Sequence, residues 1–128
     1  MSKGKILIIY LDKDLRKMFE IYFTGQGYEV VCAEDRASAL ELVTFDNMAD
    51  AIIIKEGVSG TDGYELREAL QHIDSTKFIP IVFITYKFTV EKIEEPESVY
   101  DDFVTMPFDI EELELRVRNA IKRSRQNG

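Results

Sequence analysis

The sequence predicts a doubly wound α/β domain: five parallel strands in the order 2-1-3-4-5, with helices on both faces. Three observations carry this. Short apolar runs rich in β-branched residues recur without polar alternation, as in strands covered on both faces. Amphipathic helical periods fill the gaps between them. The alternation of strand and helix, five times over, requires right-handed crossovers and hence a parallel sheet. A chain of 128 residues is one such domain, long enough to bury a core.

Lys5-Ile6-Leu7-Ile8-Ile9-Tyr10 is the first strand. Leu15, Met18, Phe19, Tyr22 and Phe23 then fall on one helical stripe, which Gly25 and Gly27 stop. Glu29-Val30-Val31-Cys32-Ala33 is a weaker second strand, and Ala37, Leu40 and Val43 form a shorter stripe. Ala51-Ile52-Ile53-Ile54 is the third strand. Asp62-Gly63-Tyr64-Glu65 resembles a capping box, opening a helix with Leu66, Ala69, Leu70 and Ile73 inward. The run from Ile79 to Ile84 is the fourth strand, and Pro80, lacking a backbone donor, suits its beginning. Asp102-Phe103-Val104-Thr105 is a short fifth strand. Asp109 and Glu112 open the last helix, whose inward face is Ile110, Leu113, Val117, Ala120 and Ile121. The domain is expected over residues 4–122, and residues 123–128 form a polar tail or linker stub.

Composition narrows the function classes. Forty-five per cent apolar and 31% charged residues are globular proportions, not those of a disordered chain. The single cysteine, Cys32, excludes an internal disulfide framework and suits a reducing, cytoplasmic setting. No apolar run approaches a membrane span, and Met1 to Lys5 leads into a strand instead of a signal-peptide core. A net charge of −8 argues against direct nucleic-acid binding, which needs clustered Lys and Arg. One histidine, His72, expected in solvent, leaves no Ser-His-Asp or Cys-His set to build.

In this architecture ligands sit beyond the carboxyl ends of the strands, at the switch point between the first and third. That nominates Tyr10-Leu11-Asp12, Lys55-Glu56-Gly57, Thr85-Tyr86 and Thr105-Met106-Pro107. Through Lys5-Ile6-Leu7-Ile8-Ile9, Asp14-Leu15-Arg16, Gly27-Tyr28-Glu29-Val30-Val31, Gly60-Thr61-Asp62-Gly63-Tyr64-Glu65-Leu66, Ile79-Pro80-Ile81-Val82-Phe83-Ile84-Thr85 and Asp102-Phe103-Val104-Thr105-Met106-Pro107-Phe108-Asp109, in that order, the chain resembles the receiver domain of two-component response regulators. The resemblance implies a flavodoxin-like fold and a role in phosphorelay signalling. It implies a site made of two carboxylates after the first strand, an acceptor aspartate ending the third, a hydroxyl ending the fourth and a lysine before a cis-proline. Such a site binds Mg²⁺ and takes a phosphoryl group.

Residue by residue, this chain departs from that pattern. The acidic pair aligns with Tyr10 and Leu11, the acceptor with Lys55, and the lysine with Met106. Thr85 keeps the hydroxyl and Phe103 the aromatic switch position, while Tyr86 stands where the family is small and would crowd the entrance. Three carboxylates and one lysine leave a negative site; the four residues here leave a positive one. The expectation is a degenerate pseudo-receiver: no aspartyl phosphorylation, Mg²⁺ binding lost, no enzymatic activity, signalling by protein–protein contact. The rival readings are residual phosphorylation through Asp12 or Glu56, and an anion or small-molecule sensor using Lys55 and Thr85.

The surviving polar groups also have plain readings. Asp12 is a metal ligand or, more simply, the N-cap of the first helix. Lys55 is an anion-binding or nucleophilic amine, or an ammonium paired with Asp12 or Glu56. The loop from Gly57 to Gly63 lacks the Gly-Lys-Ser/Thr ending of a phosphate cradle. The resemblance implies a cis bond at Met106-Pro107.

Two stretches are charged oppositely. From Tyr86 to Asp102, six acids, Glu94 and Glu95 among them, face only Lys87 and Lys92, and Pro96 implies a short or irregular helix there. The last helix carries Arg116, Arg118, Lys122, Arg123 and Arg125 with no acid after Leu115. These are two solvated faces, or one surface for a protein partner, a linked output domain or a second copy, with Leu115, Arg116, Glu94 and Glu95 as its contacts.

Overall fold

The computed structural model describes residues 2–10, 12–45, 49–55, 63–73, 75–86 and 101–127. Within them lie β1 (Lys5–Ile9), α1 (Lys13–Gly25), β2 (Glu29–Ala33), α2 (Arg36–Phe45), β3 (Ala51–Lys55), α3 (Gly63–Gln71), β4 (Ile81–Tyr86), β5 (Asp102–Met106) and α4 (Ile110–Asn127). The five strands form one sheet in the order β2-β1-β3-β4-β5, all neighbours parallel. Residues 123–127, read from sequence as a tail, continue α4. Leu11, Glu56, the glycine-bearing loop up to Asp62, and the acidic segment with Glu94, Glu95 and Pro96 lie outside the described residues.

Strand alternation divides the core into two layers. Ile6, Ile8, Ile53, Val82, Ile84 and Val104 pack against Phe19 and Phe23 of α1 and Leu113, Val117, Ala120 and Ile121 of α4. Leu7, Ile9, Ile52, Ile54, Ile81 and Phe83 face Ala39 and Val43 of α2 and Leu66 and Leu70 of α3. Both faces of β1 and β3 are therefore covered, which is why their sequences do not alternate.

Several helix faces differ from the periodic reading. In α1 only Phe19 and Phe23 are buried, whereas Leu15 and Met18 are exposed because the first turns overhang a groove instead of the sheet. In α2 Ala39, not Ala37, points inward. In α3 the inward face includes Arg67, wholly removed from solvent. Its guanidinium forms a two-pronged pair with Asp101, Nε to Oδ2 at 3.0 Å and Nη2 to Oδ1, and Nη2 also donates to the Ile79 carbonyl at 2.6 Å. Asp101 Oδ1 accepts from the Ile81 amide at 2.7 Å. One ion pair thus ties α3 to the residues that begin β4 and β5.

The end of α1 shows why two glycines flank it. Gly27 adopts φ +100°, and the amides of Gly27 and Tyr28 donate to the carbonyls of Thr24 and Phe23. This closes the helix as a Schellman turn, with the Phe23 and Tyr28 rings in edge contact at 5.7 Å. The Tyr28 hydroxyl then donates to Glu114 of α4 at 3.1 Å.

Two weak acids, the buried Tyr28 and the half-buried Cys32, give the domain an alkaline limit. Burial, then Glu114, pushes the Tyr28 phenol from 10.0 to about 12. Burial, then the hydrogen bond to Glu20, pushes the Cys32 thiol from 9.0 to about 11. The unfolded chain releases these protons first, so the folded form holds more protons and loses stability as pH rises. Urea midpoints are expected to fall through the window from 9.0 to about 12 set by these groups. Tyr28→Phe and Cys32→Ser should each flatten that slope. An unchanged slope in both would show that neither group titrates differently on folding.

Candidate functional site

The carboxyl ends of β1 and β3 meet at the switch point of the sheet, and their last side chains build the site. Tyr10 follows β1, its amide still bonded to the Ala33 carbonyl at 3.2 Å. Its ring is buried and meets Phe19 edge-on at 5.4 Å. Phe19 in turn stacks on Phe108 at 6.4 Å. Lys55 ends β3 on the same face, and its ammonium sits 5.5 Å from the centre of the Tyr10 ring. Arg16 reaches back from α1 to donate to the Tyr10 carbonyl at 2.7 Å. The site is an aromatic cluster bearing two cations.

Of the two expected partners of Lys55, Asp12 does not pair with it, and Glu56 lies outside the described residues; the contact described is with the Tyr10 ring. A cation on an aromatic face gains about 0.5–1 kcal/mol when exposed and up to about 2 when desolvated, and the half-buried Lys55 lies between those cases. Asp12 is the N-cap of α1, its carboxylate accepting from Asp14 at 2.9 Å and Leu15 at 3.1 Å. That satisfies two of the helix's free amides through one oxygen of the Asp12 carboxylate.

Mg²⁺, which the fold family implies here, does not fit these residues. It requires an octahedral set of oxygen ligands. The Tyr10 ring fills the place of the first carboxylate position, Lys55 and Arg16 repel a dication, and one oxygen of Asp12 is engaged by the cap. Among the described residues no three His, Cys, Asp or Glu side chains come together.

Met106 closes the site from β5, and the Met106-Pro107 bond is cis, as the resemblance implied. With Pro107, Phe108 and Ile110 it faces Leu15, Met18, Phe19 and Tyr10 across an apolar groove of ≈ 560 Å³. Alternation puts Lys55 with Ile53 on the α1/α4 side and Thr85 with Phe83 on the α2/α3 side. The Thr85 hydroxyl is buried without a hydrogen-bond partner, and Phe103 stacks on Phe83 at 5.0 Å. The side chain of Tyr86 lies outside what the structure describes.

On the surface, Leu115 is 43% exposed, off the core stripe as expected. Arg116 bonds Asp102 at 3.2 Å and lies 3.7 Å from Glu112, and Arg123 approaches Asp102 at 3.9 Å. The basic helix therefore has one face neutralised by β5 and another, bearing Arg118, Lys122 and Arg125, turned toward Tyr28. Asp101, counted among surface acids in the sequence, is buried with Arg67. Sequence reasoning missed both Arg67 and Arg16. A charged residue within the apolar Leu66–Leu70 face was the available signal for the first.

Parallel order β2-β1-β3-β4-β5, a crevice at the β1/β3 switch point and a cis-proline after β5 define a single-domain flavodoxin-like signalling fold. The chain belongs to the response regulator receiver domain family, which matches residues 6–118. It is 35% identical over 120 residues to the uncharacterized transcriptional regulatory protein YrkP of Bacillus subtilis, across 93% of this chain and 50% of the relative. It is 32% identical over 123 residues to the phosphate regulon transcriptional regulatory protein PhoB of Pseudomonas aeruginosa, across 94% of this chain and 53% of the relative. The chain thus spans about half the length of these relatives. The structure of the chemotaxis response regulator CheY4 of Vibrio cholerae superposes with a TM-score of 0.76 at 26% identity, over 97% of this chain and 98% of that one. A response regulator structure from Chloroflexus aurantiacus gives 0.77 at 28%, over 94% and 98%.

Proposed function

We propose that this receiver domain signals without aspartyl phosphorylation. The observation that carries the reading is the ammonium of Lys55 resting on the buried Tyr10 ring, where the family pattern requires an acceptor carboxylate beside an acidic pair. An amine and a phenol ring supply neither a carboxylate nucleophile nor ligands for the metal that assists transfer. The domain works as a signalling module, not an enzyme, by contact with a protein partner, a linked output domain or a second copy. Leu115 with Arg116 marks the contact face. No described helix is long and apolar enough to cross a membrane, and the reducing setting suited to Cys32 supports a cytoplasmic location. A partner sets the conformation only through different affinities for its states.

Residual phosphorylation through Asp12 is disfavoured by its capping role. Among the described residues the unpartnered Thr85 hydroxyl favours an anion sensor, whereas the Lys55 ammonium is already placed against the Tyr10 ring. Intact mass after incubation with acetyl phosphate and Mg²⁺ decides between signalling without phosphorylation and residual phosphorylation, and anion-dependent melting shifts lost on Lys55→Ala would favour the sensor. An unchanged mass is expected, and a stoichiometric phosphoryl adduct would overturn the proposal.

A further inference from the structure

At the opposite end of the sheet, the second face of α4 borders an open pocket of ≈ 440 Å³ with Lys3, Tyr28, Arg118, Ile121, Lys122 and Arg125 as its lining. Its position follows from the turn after α1. The Lys3 amide bonds the Gly27 carbonyl at 2.9 Å, which brings the Lys3 ammonium 5.7 Å from the Tyr28 ring centre. Arg118, Lys122 and Arg125 recur at i, i+4 and i+7, on one side of the helix.

Four cations meet two acids here. Glu114 lies 4.0 Å from Arg118 and already accepts the Tyr28 hydroxyl, and Asp50 lies 3.5 Å from Arg125. Among the described residues Lys122 has no ion-pair partner and Lys3 has only the ring. A chain of net charge −8 therefore carries a pocket of positive potential. We propose that this pocket binds a di- or triphosphate chain, free or as part of a nucleotide. Arg118 and Arg125 stand about 10 Å apart along the helix at 1.5 Å per residue. That span suits two or three linked phosphoryl groups, each met by a cation, better than one small ion. The overall negative charge repels an extended polyanion such as DNA, whereas a compact anion senses mainly charges within the ~8 Å screening length of physiological salt. The inference is independent of whether Lys55 marks a lost acceptor.

Titrating inorganic triphosphate into the ¹⁵N-labelled chain at about 0.15 M ionic strength tests it. Saturable shifts at Lys3, Tyr28, Lys122 and Arg125 are expected. Lys3→Glu and Lys122→Glu, both exposed and harmless to folding, should each weaken binding about tenfold, as loss of a charge-assisted contact does. Lys17→Glu makes the same charge change on α1 and should leave affinity unaltered. ATP binding more tightly than triphosphate would assign a nucleotide, and equal affinity the phosphate chain alone. Shifts that do not saturate would overturn the proposal. So would equal weakening by Lys17→Glu, or tighter binding of duplex DNA or phosphatidylserine vesicles than of triphosphate.

Discussion

Replacing Arg67 with methionine is expected to destabilise the domain by about 3–5 kcal/mol, the usual cost of removing one partner of a buried ion pair. Asp101 would keep only the Ile81 amide of the contacts described above, in a place its side chain shares with almost no water. The Ile79 carbonyl would lose its donor as well. Asp101→Asn should cost a similar amount, by stranding the guanidinium. Combining Arg67→Met with Asp101→Asn should recover more than half of either loss. The amide oxygen can still accept from Ile81, no net charge stays buried, and the methionine fills the stem's volume. That recovery separates the ion pair from simple packing, because two independent packing defects would add. Domains of this size are stable by roughly 5–15 kcal/mol, so either single variant should unfold at a much lower urea midpoint. A loss below about 1 kcal/mol in both would mean that water reaches the pair and screens it, as at a surface.

The same pair shows where sequence stops being informative. The sheet was legible because burial on both faces leaves uninterrupted runs such as Lys5-Ile6-Leu7-Ile8-Ile9 and Ala51-Ile52-Ile53-Ile54, and only one architecture covers them. Arg67 and Asp101 stand 34 residues apart, and neither carries a local mark of its partner. One looks like a helix charge and the other like a member of an acidic run. The site divides in the same manner. Alignment located Tyr10, Lys55, Thr85 and Met106, but not the faces on which they act. Register between β3 and β4 sets Ile84 opposite Lys55, so Thr85 turns away; a one-residue shift would have reversed this. Of the two carboxylates expected to pair with Lys55, Asp12 does not, and its described contact is a ring that sequence does not reveal. The ring was available only because Phe19 and Phe108 hold it beneath the ammonium. The stripe of α1 was read as wholly inward, yet Leu15 and Met18 border the groove, since periodicity reports a face and not what lies opposite it.

Lys55→Asp, which restores an acceptor-type residue, is expected to remain unlabelled by acetyl phosphate in the presence of Mg²⁺. Three physical obstacles persist in that variant. The new carboxylate would lose the attraction that the Lys55 ammonium has for the Tyr10 ring and, unlike the ammonium, would gain nothing from an electron-rich aromatic neighbour. Mg²⁺ would still lack a ligand set, because Tyr10 offers a ring and Asp12 gives one carboxylate oxygen to the first amides of α1. Met106 would supply no cation to the transferred group's developing charge. The variant should also be less stable than the parent, having lost that attraction. Adding Tyr10→Asp, Leu11→Asp and Met106→Lys supplies the missing charges, and labelling should appear only in that set. It will cost packing, since Tyr10 fills the space beside Phe19, and truncating a buried aromatic typically costs about 3–5 kcal/mol. Circular dichroism must therefore confirm a folded chain before the mass is read. Magnesium-dependent labelling of the single variant would show that the ring and the ammonium do not block the chemistry. The loss of phosphorylation would then rest on the acceptor residue alone.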